Sequence, residues 1–134
     1  IWTFKSHCGL ATIGAGRYAG FRLREKEERG TLVTQPIRCR FDGSLTLTVN
    51  AIADGQSPVR VAILDAANGQ PLEGYCVDDC LALEADGVSQ LVRWSGLSEV
   101  DLRTDRPVRL QFELRGPRSR LYGFAWQPSA AESE

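Results

Sequence analysis

Residues 108–115, Val-Arg-Leu-Gln-Phe-Glu-Leu-Arg, alternate apolar and polar without a fault. Successive side chains of a strand point to opposite faces, so the pattern sets Val108, Leu110, Phe112 and Leu114 on one side. A helix would scatter those four around its circumference. Residues 45–50, Leu-Thr-Leu-Thr-Val-Asn, and 59–63, Val-Arg-Val-Ala-Ile, follow the same rule. Three strands are therefore predicted. Weaker candidates occupy residues 17–23, 31–34, 90–94 and 120–126. In the last of these, Tyr122, Phe124 and Trp126 are expected on one face, with Leu121, Gly123 and Ala125 on the other.

Asp42-Gly43, Asp54-Gly55, Asn68-Gly69, Asp86-Gly87 and Gly116-Pro117 punctuate these segments with residues that tolerate positive φ or preset a bend. The charged run at 24–29, Arg-Glu-Lys-Glu-Glu-Arg, has mixed signs and no apolar stripe, which fits a solvated hairpin tip better than a helix. Residues 97–102 read as one helical turn or an irregular crossing. Short strands separated by turns predict an all-β fold, an antiparallel two-sheet sandwich or a barrel. The lack of a convincing amphipathic helix argues against a parallel α/β sheet. The expectation is one β-sandwich domain over residues 1–127, followed by a small, polar, acidic tail at 128–134.

Composition narrows the function classes. At 134 residues, 43% hydrophobic and 25% charged, the chain has the makeup of one domain able to bury a core without staples. A formal net charge of -1 argues against nucleic acid or an anionic membrane as a broad electrostatic partner. No apolar run approaches the roughly 20 residues that cross a bilayer as a helix. The opening Ile1-Trp2-Thr3-Phe4 has no initiator Met and no signal-peptide core, and reads as a piece processed or excised from a longer protein. Cys8, Cys39, Cys76 and Cys80 read chiefly as buried free thiols. The alternatives are one Cys8–Cys39 disulfide, or a zinc site from His7, Cys8, Cys76 and Cys80 against the usual ligand spacing.

Catalytic machinery is sparse. His7 stands alone, no serine sits in a nucleophile elbow, and Gly14-Ala15-Gly16 does not open a helix as a dinucleotide fingerprint would. Asp78, Asp79, Glu84, Asp86, Glu99 and Asp101 supply enough carboxylates for glycoside hydrolysis, which needs two acids about 5 to 10 Å apart. They read more simply as solvated loop acids or as partners of Arg93 or Arg109. Asp78, Asp79 and Asp86 are the residues from which a calcium site would be built, although they lack a motif spacing. Among the aromatics, Trp94 and Trp126 end alternating segments and fit the core, whereas Trp2 and Tyr75 are the better candidates for a sugar-stacking surface.

The order of segments from Leu45 onward carries more information than any single motif. It runs through Leu45-Thr46-Leu47-Thr48-Val49-Asn50, then Val59-Arg60-Val61-Ala62-Ile63-Leu64-Asp65 with Gly69-Gln70-Pro71. Next come Leu72-Glu73-Gly74-Tyr75-Cys76-Val77-Asp78-Asp79-Cys80 and Val92-Arg93-Trp94-Ser95-Gly96. Arg106-Pro107-Val108-Arg109-Leu110-Gln111-Phe112-Glu113-Leu114 and Leu121-Tyr122-Gly123-Phe124 complete it. This resembles a C-terminal β-sandwich module of large bacterial secreted proteins that follows propeller or family 32-like glycosidase domains. Residues 20–37 fit the module's first hairpin more loosely, and Cys76 and the charged run at 24–29 depart from its pattern.

The resemblance implies a jelly-roll-like sandwich serving as a non-catalytic ancillary module, secreted or in the cell envelope, with no cofactor beyond the calcium option. Its partner would be a polysaccharide, bound weakly, or the adjacent domain of the parent chain. The resemblance supplies no ligand-binding signature; Trp2, Tyr75, Asp78, Asp79, Arg93 and Trp94, drawn from the aromatic and loop residues above, are the ones assigned to carbohydrate contact.

Overall fold

The computed structural model describes residues 20–38, 44–95, 97–101 and 107–128. They form eight strands: β1 (Phe21–Arg22), β2 (Arg29–Val33), β3 (Ser44–Ile52), β4 (Val59–Asp65), β5 (Asp86–Leu91), β6 (Val100–Asp101), β7 (Val108–Arg115) and β8 (Arg120–Pro128). One turn of 3-10 helix, Val77–Asp79, is their only helical element. The first sheet has the order β1-β8-β3-β5, and β6 pairs with the beginning of β3 on the edge that β5 takes farther along. The second sheet has the order β2-β7-β4, and every named pairing is antiparallel.

The pairings nest. Phe21 opposes Leu121, Thr31 opposes Glu113, Val49 opposes Gln90, and Leu64 opposes Pro71. This is one long hairpin whose tip lies at residues 65–70 and whose rungs fall alternately in the first and second sheets. Lateral pairing of β3 with β8 and of β4 with β7 closes the winding. The result is a jelly-roll sandwich.

The alternating strands supply its interior. Leu45, Leu47 and Val49 from β3 meet Val59, Val61 and Ile63 from β4 and Leu110, Phe112 and Leu114 from β7, all 4% exposed or less. Two sheets, each apolar on one face, can bury those faces only against one another.

The free edge of β4 is closed irregularly by residues 70–83. Asp65 N–H donates to Gln70 O (2.8 Å), Ile63 N–H to Tyr75 O (2.9 Å), and Val59 N–H to Leu83 O (3.2 Å). The 3-10 turn carries the backbone away from Val61, and side chains take over there. Val61 N–H donates to Cys80 Sγ (3.3 Å), while Trp94 Nε1–H donates to Val61 O (2.8 Å). A buried peptide group must find a partner, and a thiol and an indole serve in place of a fourth strand.

Several expectations change. The run at 24–29 is solvent-exposed throughout but is not a hairpin tip, because β1 and β2 belong to different sheets. Asp86-Gly87 begins β5 instead of making a turn, and β5 ends at Leu91, so the predicted 90–94 strand is displaced toward the N-terminus. No helical turn forms at 97–101; β6 and an irregular stretch occupy it. Strand β8 includes Pro128, paired with Leu45, one residue into the expected tail.

A bulge also reassigns the faces of β8. Asn50 opposes Gly123 while Ala51 opposes Leu121, leaving Tyr122 without an opposite residue. Leu121 therefore joins Phe124 and Trp126 on the core side, and Tyr122 turns outward. Its ring lies over Gly20, where any Cβ would come within 2.6 Å of Tyr122 Cδ1.

Candidate functional site

Of the residues expected to touch carbohydrate, the five that are described lie beside the closed edge of β4, where most serve the fold. Trp94 is 0% exposed, which removes it from any surface platform. Tyr75 meets it edge-on, with ring centroids 5.1 Å apart at 72°, and donates its hydroxyl to Glu99 O at 3.1 Å. Ring and hydroxyl are both committed, so Tyr75 is a half-buried strut and not an open stacking plate. Asp79 fixes the local turn: its carbonyl accepts from Ser95 N–H (2.8 Å) and its carboxylate from the Cys76 thiol (3.1 Å). Asp78 and Arg93 are exposed, and Trp2 lies outside the described residues.

The metal alternatives fare differently. Asp86 stands in β5 of the first sheet, apart from the 3-10 turn that carries Asp78 and Asp79. Among the described residues no three His, Cys, Asp or Glu side chains are arranged to hold an ion. Cys76 and Cys80 are free thiols. Burial pushes the Cys80 thiol above its ordinary value, keeping it protonated and suited to its packing role. His7, Cys8 and Cys39, with the disulfide and zinc readings they carry, lie outside the described residues.

A different surface collects polar chemistry. Alternation that sends Leu110, Phe112, Leu114, Val59, Val61 and Leu32 inward sends the intervening residues to the outer face of β2-β7-β4. These are Arg29, Thr31 and Val33 on β2, Arg109, Gln111, Glu113 and Arg115 on β7, and Arg60, Ala62 and Leu64 on β4; Ala62, Leu64 and Glu113 are buried there, so the exposed part of the face is its β2 side and the Arg115 end of β7. The register places Thr31 and Arg60 on either side of Glu113, and Arg29 directly opposite Arg115.

Glu113 is the one carboxylate among these ten outward positions. Its Oε1 lies 3.4 Å from Arg115 Nε, and its Oε2 lies 3.8 Å from Arg29 Nη1. The carboxylate side chain keeps only 11% of its exposure, whereas Arg29 and Arg115 keep 61% and 46%. Arg60, the register partner of Glu113, makes no ion pair among the described residues. Farther along β7, Arg109 Nη1–H donates to Thr34 O at 2.9 Å and ties down the chain leaving β2. Among the described residues, four guanidiniums stand against one carboxylate on this face, a local surplus of positive charge in a chain whose formal charge is -1.

Charge at the end of the sandwich is internally neutralised instead. Arg118 clasps Asp54 through Nε–Oδ2 (2.7 Å) and Nη2–Oδ1 (3.3 Å) and donates to Gln56 Oε1 (3.2 Å). Asp54 Oδ1 also accepts the backbone N–H groups of Gln56 and Ser57, each at 2.8 Å. The Arg118 hydrogen bond, helped by those amides, holds the Asp54 carboxyl below its ordinary value. Gly116, at φ +81°, packs against Gln56 and Ser57, where a Cβ would collide with both. This cluster joins the β3–β4 loop to the β7–β8 loop and is saturated by its own partners.

The arginine face escaped the sequence reading, although its components were visible as the polar half of each alternation. Residues 29, 60 and 115 lie far apart along the chain, and only strand order reveals that their side chains are neighbours. Comparison with protein-family models, curated proteins and solved structures finds no match for this chain.

Proposed function

We propose that this domain is a non-catalytic carbohydrate-binding module, ancillary to a larger extracellular or cell-envelope protein, and that sugar lies across the exposed part of the outer face of β2-β7-β4, from Arg29 and Arg115 to Arg60. The observation that carries the reading is the strip formed by Arg29, Thr31, Arg60, Gln111, Glu113 and Arg115. Arg29, Thr31 and Arg115 are exposed, Arg60 and Gln111 are half-buried, and together they offer donors and acceptors to sugar hydroxyls around the buried Glu113. The strip is preorganised because β7 is hydrogen-bonded along both edges, so binding orders little backbone. A screen of the domain against neutral and charged polysaccharides, followed by calorimetry, tests this. Binding that weakens on Gln111→Ala and Thr31→Ala is the expected result. Binding unaffected by both would move the site elsewhere.

A second reading, docking onto a neighbouring domain, is favoured by one observation. Leu81 and Leu97 are 53% and 50% exposed on segments that bracket Trp94 through backbone hydrogen bonds. A polysaccharide screen without hits, together with association to the adjoining domain that is lost in Leu81→Asp, would favour docking.

A further inference from the structure

We infer that the ligand of this face is a polyanionic polysaccharide, a sugar chain bearing carboxylate or sulfate groups, bound by Arg29, Arg60 and Arg115 around Glu113. The inference rests on the reading that this face binds carbohydrate, and it adds the chemical class of the sugar. Arg29 and Arg115 stand directly opposite across β2 and β7. Like charges in that position repel, and a fold selected for stability alone gains nothing from the pair. Glu113 compensates only in part. It contacts both arginines, yet one carboxylate cannot neutralise them together with Arg60 across the other edge.

The geometry already displays the recognition chemistry. Arg115 Nε and Nη2 lie 3.4 and 3.5 Å from the two oxygens of Glu113, the fork arrangement by which a guanidinium grips a planar anion. An incoming carboxylate or sulfate would bind the same guanidiniums from the solvent side, where Arg29 and Arg115 are most exposed. Thr31 and Gln111 flank this cluster and suit the hydroxyls between successive charged groups of a chain.

The face also disfavours other ligands. None of its ten outward positions is aromatic, so neither a base nor a neutral sugar ring has a stacking platform. Charge must then supply much of the affinity, and the favoured anion is one spaced along a hydroxylated chain.

The test measures binding of the full chain to dextran, polygalacturonate, dextran sulfate and a single-stranded oligodeoxynucleotide at two salt concentrations. The expected result is binding to polygalacturonate, dextran sulfate or both, falling on the order of tenfold between about 50 and about 200 mM salt. Arg29→Gln and Arg115→Gln should weaken it several-fold while leaving the thermal unfolding midpoint near the parent's. Glu113→Gln should tighten it, because the internal competitor for the guanidiniums is gone. The carboxylated and sulfated arms separate the two anion sources. Dextran bound as well as the charged polymers, without salt dependence, overturns the polyanion inference and leaves carbohydrate binding standing. Weaker binding by Glu113→Gln also overturns it, by making Glu113 a direct sugar contact. Oligonucleotide bound as tightly as polysaccharide overturns the sugar specificity, and silence across the panel removes the carbohydrate reading itself.

Discussion

Phe112 is wholly buried between the sheets, with its ring centroid 5.7 Å from that of Phe124, while Gln111 beside it faces outward. Removing a ring from so closed a site leaves a cavity, so Phe112→Ala should cost about 3 to 5 kcal/mol, and Leu110→Ala about 2 to 5. Gln111→Ala should cost far less. Urea denaturation compares the three, and equal losses would place the β7 register wrong by one residue. Asp54 gives a second expectation at this scale. Its carboxyl is held low chiefly by the Arg118 hydrogen bond, so the folded state binds its proton less readily than the unfolded state. A depressed carboxyl stabilises above its unfolded value and loses that contribution as pH falls through its folded value. The gap in thermal midpoint between parent and Asp54→Asn should therefore be open at neutral pH. It should close as pH drops from the ordinary 3.8 toward the lower folded value. A gap that persists in strong acid would assign the effect to packing.

Among the elements, the strands with one buried face were legible, because burial imposes a period of two on their sequence. Strand β7 matches its predicted limits of 108–115, and β3 and β4 contain theirs. Bulges left no such mark. The one between β3 and β5 is filled by Gln90, whose Nε2 lies 2.9 Å from Ala51 O, 2.9 Å from Ala85 O and 3.3 Å from Gly87 O. A residue that reads as an ordinary polar position thus ties together three carbonyls at the bulge, and Ala85 O also accepts Ala53 N–H there. Gln90→Ala should cost about 1 kcal/mol through the lost side-chain hydrogen bonds. Gln90→Glu should cost more, since a carboxylate would face carbonyls with no proton to offer. Chemical denaturation of both variants decides the order. The 70–83 segment was illegible for a related reason. Its pairing with β4 borrows a sulfur and an indole nitrogen, which no backbone pattern announces.

For the molecule as a whole, β8 is the closing member of the first sheet. It bonds to β1 and β3 and contributes Leu121, Phe124 and Trp126 to the interior. A chain ending before Arg120 should therefore lose cooperative unfolding, as followed by circular dichroism against temperature. A sharp transition in that truncation would mean that β2-β7-β4 and the remaining strands form a sufficient core. The same topology made the arginine face. A net charge near zero suggested no electrostatic partner, but net charge averages over a surface on which Asp54 and Arg118 cancel locally while Arg29, Arg60 and Arg115 accumulate.

The expected site shows the same division between sequence and fold. Tyr75, Asp79 and Trp94 do meet, but at an edge where aromatic volume and hydrogen-bonding groups were needed to close the sheet. Sequence alone could identify them as special without saying whether they faced solvent or the core. By itself, the sequence determined that the chain is all-β, where its principal strands run, and which half of β3, β4 and β7 faces the other sheet, since those properties are written in local alternation. Only the tertiary structure decided which strands are neighbours, which aromatics are consumed by the interior, and which arginines stand together. Pairing between residues so distant along the chain depends on the winding of the whole ribbon and leaves no local periodicity to read.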